Sequence, residues 1–380
     1  MKSAPDLDTL SSIAHSSLAY HETYLRAKTD ILSTHATRDL LRNDVDLLDP
    51  TVAIKAGKIN ADDTDRSART EQLLKHYQRE GQHARRQMPT LDAATSLRLI
   101  HLHKVIIALV EDFCTWAISK HPRPGQSHQG ADLSIAENRR IQRAFFRWEI
   151  YAQLFGQLEG STRYREYQIL ASEKDQARFS VDHLPWHEVE ELRCIEEYAM
   201  QRYESIFEKV APHIPKKNYK PPENHRLGSP PGHHDVIGKY VLAFRYISRT
   251  NLVKGAGGWS NQQSLTCLGP EMLHGTINVS DGQLEQLVMS HVFAGFPPTG
   301  FSNILEYHES FGDYGAPNPR FQGQDRQPGV GWLWTSESNQ TYPQNYHLRP
   351  WAYAMWDEER FEDWGISKKD LLEWPRDAND

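Results

Sequence analysis

Apolar and polar positions alternate with a helical period along most of this chain, most clearly between Ser134 and Gly156, SIAENRRIQRAFFRWEIYAQLFG. At a hundred degrees per residue, Ile141, Ala144, Phe145, Trp148, Ala152 and Phe155 fall on one face. Phe146, Ile150 and Leu154 fall nearly opposite. A helix apolar on two sides predicts an element sandwiched between neighbours. Ser134 and Glu137 have the spacing of a capping box, which covers orphan amides at the helix start. Gly156 predicts a left-handed stop at the other end.

The same period predicts a second two-sided helix over Asp92–Lys120. Leu97, Ile100, Ile107, Cys114 and Ile118 form one stripe, and Leu102, Val105, Leu109, Phe113 and Trp116 the other. A third helix, WHEVEELRCIEEYAMQRYESIFEKV, opens after Pro185. Its early Glu188, Glu190 and Glu191 complement the positive end of a helix. Residues 7–42 read as one helix. Thr70–Gln87 reads as a charged, exposed helix weakened at Gly81. Residues 44–65 read as a loop, with TVAIK at 51–55 as a short strand. Helices are also expected over 235–250, over 281–294, within PWAYAMWDEERFEDWGI and from Ser367 to Trp374. No period of fixed length repeats, which argues against a solenoid.

These elements predict a mostly α protein, an irregular multi-helix bundle with a Trp-rich, loop-rich C-terminal part. Four stretches are expected: a looser helical segment over 1–89, a helical core over 90–211, a Pro-rich linker over 212–234, and a Gly/Pro/Trp-rich part over 235–380 packed on the core.

Composition narrows the function classes. The net charge is −7, which disfavours a nucleic-acid footprint, since that needs a concentrated basic face. Three widely spaced cysteines indicate neither a disulfide framework nor a zinc ribbon. The first residues lack the apolar stretch of a signal peptide, and no run of about 18 apolar residues suggests a membrane span. The expectation is an intracellular protein, cytoplasmic or nuclear, with no membrane or nucleic-acid partner.

Candidate chemistry is sparse. Arg143 and Arg147 flank the second apolar face of the Ser134–Gly156 helix. Buried guanidinium groups demand acids, and Glu111, inside a stripe of the neighbouring helix, is the expected partner. An anion site is the alternative. Glu271 and His274 make an E-x-x-H pair, but the surrounding glycines predict a helix of one turn. His233 and His234 follow PPG in a loop, with Glu306, His308 and Glu309 as further possible donors. His233, His234, Glu271 and His274 are therefore weak metal candidates, and no cofactor is expected. Lys254–Gly258 lacks the features of a phosphate-binding loop. Trp332, Trp334, Trp351, Trp356, Trp364 and Trp374 are six of the ten tryptophans. They suit a core holding irregular chain together, or a binding pocket for a ligand or peptide.

RRIQRAFFRWEIYAQLFG at 139–156, the acidic helix WHEVEELRCIEEY, and LRPWAYAMWDEERFEDWGI at 348–366 resemble a large group of helical proteins from filamentous ascomycete fungi. The group's pattern is R-R-x-x-R-A-x-x-R-x-E-x-x-x-x-L-F-G, then a W-x-x-x-E helix, then W-G-Y-x-M-W-D. Arg139, Arg140, Arg143, Arg147, Glu149, Leu154, Phe155 and Gly156 match the first element. Trp351, Tyr353, Met355, Trp356, Asp357, Trp364 and Gly365 match the last, with Ala352 where Gly is expected. The resemblance spans about 90–370 and implies no activity, because the group has no established catalytic role. It implies that these motifs are framework. The resulting expectation is a non-catalytic fungal protein with a regulatory role and a protein partner. The rival is an accessory enzyme, for instance of fungal secondary metabolism, with a site lined by the C-terminal aromatics and His233/His234.

Overall fold

A computed structural model describes residues 1–59, 65–80, 91–120, 132–156, 184–210, 265–280, 327–336 and 342–374, with Phe179, Gln262, Gln283 and Leu284. Among these residues every regular element is helical: α1 (Leu7–His15), α2 (Leu18–Arg42), α3 (Leu48–Ala56), α4 (Arg66–Glu80), α5 (Ala93–Ser119), α6 (Ile135–Phe155), α7 (Trp186–Val210), α8 (Pro270–Asn278), α9 (Val330–Ser336), 3-10 turns over Tyr342–Trp351 and Tyr353–Met355, α10 (Glu358–Asp363) and α11 (Lys368–Leu372). The protein is thus a mostly α multi-helix arrangement with a Trp-rich C-terminal part. His233, His234, Glu306, His308, Glu309, the linker at 212–232, the helix expected over 235–250 and the Gly-rich loop lie outside the described residues.

The two-sided pattern of α6 has the predicted consequence. Every residue from Arg140 to Ala152 is buried, and α6 packs against α3, α5, α7 and the C-terminal turns. The predicted capping box closes its start: Ser134 Oγ accepts from Glu137 N, and Ser134 N donates to Glu137 Oε2. Its end differs from expectation. Gly156 has φ −67°, which is not left-handed. Glycine is needed because a Cβ would lie 2.1 Å from Cys267 O and 2.4 Å from Ala152 O. The 265–269 segment crosses here, and Trp148 Nε1 donates to Thr266 O at 2.7 Å.

Four further expectations are corrected. TVAIK is helical, because Val52, Ala53 and Ala56 bury themselves against α6; tertiary packing overrides the strand preference of β-branched residues. Pro50 sits in the first turn of α3, where its missing N–H leaves no bond unmade. The 7–42 helix is two helices, since Ser17 is extended and its side chain caps α2 by accepting from Tyr20 N. α4 is not simply an exposed face: Leu73, Leu74 and Tyr77 are buried, and Arg66 Nη2 donates to Leu154 O at the end of α6. α8 is nine residues long rather than one turn.

At the C-terminus Ala352 is left-handed, with φ +56°. Only glycine occupies that region without strain, and for other residues the strain is on the order of 1–2 kcal/mol. Glycine would occupy this position without that strain.

α5 is long and apolar enough to cross a membrane by length and composition, although no such run was evident in the sequence. More than half of its most apolar window is buried inside the protein, and core helices meet the same criterion.

Candidate functional site

Arg143 and Arg147 do not face Glu111, which is exposed on the outer side of α5. Leu97 on the same stripe is also exposed, whereas Ile100 is buried and Cys114 and Ile118 pack against the core. The acids come from α7 and α3 instead. Arg143 grips Glu191 in two-pronged fashion, Nε to Oε2 at 3.1 Å and Nη2 to Oε1 at 2.6 Å, and its Nη1 lies 3.4 Å from Glu188 Oε1. Arg147 Nη1 lies 2.8 Å from Glu188 Oε2 and its Nε 3.6 Å from Asp49 Oδ1. Arg147 Nε also donates to Tyr77 OH, which in turn donates to Asp49. Burial works against the Arg147 charge, but Glu188, Tyr77, Asp49 and Glu191 outweigh it and hold its pKa well above the ordinary value. Burial also raises the Glu191 carboxyl, with Arg143 opposing. The early glutamates of α7 thus serve the interior of the bundle: all three are buried, and Glu190 accepts from Arg349 and Tyr353.

A second set of pairs fastens the C-terminal part to the start of α6. Arg360 bonds both oxygens of Glu137, at 2.7 and 2.6 Å. Arg140 donates to Met355 O at 2.6 Å and to Asp357, which also accepts from Ser134 Oγ. Among the aromatics, Trp351 and Trp356 are buried and Trp332 and Trp334 half-buried. Trp356 Nε1 donates to Trp351 O at 2.7 Å. Trp351 contacts Phe361, Trp364 and Trp374, Trp334 contacts Phe361, and Trp332 contacts His187. The Arg360 guanidinium lies over Trp356 at 5.2 Å, a favourable cation–π placement.

Glu271 and His274 stand in a different place, where α8 crosses α5 and the end of α6. Arg98 Nη2 donates to Glu271 Oε2 at 2.7 Å and lies 3.7 Å from Glu149 Oε1. His101 Nε2 is 3.8 Å from Glu271 Oε1. The His274 pKa is lowered, first by burial and then by His101. No group of three or more possible metal ligands gathers among the described residues.

Glu149 is the unusual member. Its side chain is 3% exposed, Gln153 Nε2 donates to its Oε1 at 2.6 Å, and Oε2 lies beside Gly269. Burial, with the charge of Glu271 second, raises its pKa to about 7. Glu149 lines a pocket of about 500 Å³ with Ala53, Ile54, Lys58, Asp92 and Ala94, among others. Glu149 and Arg98 were not singled out as a site from the sequence. The available signal was a carboxylate within a helix apolar on both sides, two residues beyond Arg147. Comparison with known protein families, curated proteins and solved structures finds no match to this chain.

Proposed function

We propose that this protein works through contact with another protein, in a regulatory role inside the cell, and not through catalysis. The observation that carries this reading is the first half of α2. Leu18 and Leu25 are 75% and 56% exposed and, seven residues apart, share one side of the helix. Isolated exposed leucines are ordinary, but two aligned on one face suit an apolar anchor for a partner. The internal pairing of Arg143 and Arg147 supports the same reading, because it leaves their charges satisfied within the chain. The fungal resemblance points the same way, implying framework and no activity.

The test is affinity capture from the native host with the full chain and with L18D/L25D, both checked for equal helical content. A partner held by the wild type, and bound after purification at least tenfold more weakly by the variant, is expected. Equal binding by the two chains, or no specific partner, would overturn the reading. A second reading, separate from the accessory enzyme with a site at the C-terminal aromatics and His233/His234, is a small-molecule site, favoured by Glu149 at its pocket.

A further inference from the structure

The pocket between α3, α5 and α6 has a polar floor and a partly apolar wall. Ala53, Ile54 and Ala94 supply apolar surface, and Glu149, Gln153 and Arg98 the polar groups. Its volume of about 500 Å³ lies within the range of small-ligand sites, roughly 300–1,000 Å³. Charge at the floor is unbalanced: the carboxylates of Glu149 and Glu271 share the single guanidinium of Arg98. That guanidinium is committed to Glu271, at 2.7 Å, and stands off from Glu149, at 3.7 Å. Lys58 is tied to Asp92 at 3.2 Å. Glu149 is almost wholly buried, and its Oε2 accepts no hydrogen bond among the described residues. A buried carboxylate whose counter-charge stands off and is shared with a second acid is costly, and it is relieved either by a proton or by a cation from outside.

We propose that this pocket binds a small organic ammonium ion, its charged end on Glu149 and its short alkyl chain against Ala53, Ile54 and Ala94. An ammonium supplies the missing positive charge and donates to the Glu149 carboxylate, and the apolar wall takes the alkyl groups. Binding requires ionised Glu149, so proton and ligand compete. The charged groups around this carboxyl are Lys58, just past α3, Asp92, which caps α5, Arg98 on α5 and Glu271 on α8, with His101 and His274 beyond them beside Glu271. Burial first, and then His101, lower the His274 pKa, so this imidazole takes up its proton only on acidification, which adds positive charge and disfavours the ligand in the same direction. This proposal stands apart from the α2 contact surface, and either can fail alone.

The experiment is calorimetric titration of the full chain with n-butylammonium chloride at pH 8 and pH 5.5, with n-butanol as the uncharged control. One saturable site at pH 8 is expected, weakened at least about tenfold at pH 5.5, where only a small fraction of Glu149 is ionised. The butanol control gives no saturable heat. E149Q removes the charge while keeping the shape. A94F obstructs the pocket from an exposed position and leaves Glu149 in place, so it decides the matter if E149Q does not fold. Both variants, when folded, lose the site. No saturable binding at pH 8, equal affinity at the two pH values, or binding retained in a folded variant would overturn the proposal.

Discussion

Glu149 shows how one side chain records its surroundings. An ordinary glutamate releases its proton near pH 4.5, whereas this one holds it to about pH 7, first because it is buried and second because Glu271 is near. Between those pH values the folded chain carries one more proton than the unfolded chain. Its contribution to stability is therefore present in full below about pH 4.5 and is lost as pH rises through 7. The difference is on the order of 3 kcal/mol across that window. Denaturant titrations of the wild type and E149Q at pH 4.5, 6 and 8 check this. The stability of the wild type relative to E149Q should fall between the first and last, and a parallel course would remove the raised carboxyl from the account. Nothing in the local sequence sets Glu149 apart from the other charged residues of α6. Its burial depends on α8 and Gly269, which lie more than a hundred residues away and were not placed against it by any local pattern.

At the scale of elements, α6 and its end argue for local patterning corrected by a crossing chain. The capping box and the two apolar faces follow from spacing within a single helix. The role of Gly156 does not, since its reason is the carbonyl of Cys267. φ at this position suits any residue, so alanine is excluded by space alone. G156A should cost at least about 2 kcal/mol through overpacking against backbone that cannot yield easily. Thermal unfolding followed by circular dichroism measures the loss, and an unchanged midpoint would show that the 265–269 segment gives way freely. α3 teaches the converse lesson. TVAIK has the composition of a strand, yet its small and branched side chains fit against α6 as a helix, and a preference worth at most about 1 kcal/mol yields to that burial.

Across the described residues, arginine–carboxylate pairs join segments distant in sequence, among them Arg143 and Arg147 with α7 and α3, Arg349 with α7, and Arg360 with Glu137 at the start of α6. The last holds the Trp-rich part to the core, and both side chains are buried. R360M leaves Glu137 without its buried counter-charge, which should cost roughly 3–5 kcal/mol. The variant is expected to lose the near-ultraviolet circular dichroism of the Trp351–Trp356–Trp364 cluster at lower denaturant than the wild type. Coincident transitions in the two proteins would contradict it. The sequence by itself determined the mostly helical class, the positions of α5, α6 and α7, and the demand that buried guanidinium groups find acids, because helical period, capping and the cost of an unpaired charge act over a few residues. Only the tertiary structure decided which acids answer, why Gly156 must be glycine, and that Glu149 faces a pocket. Those outcomes depend on which helix surfaces meet, and contacts between residues far apart in the chain leave no spacing to read.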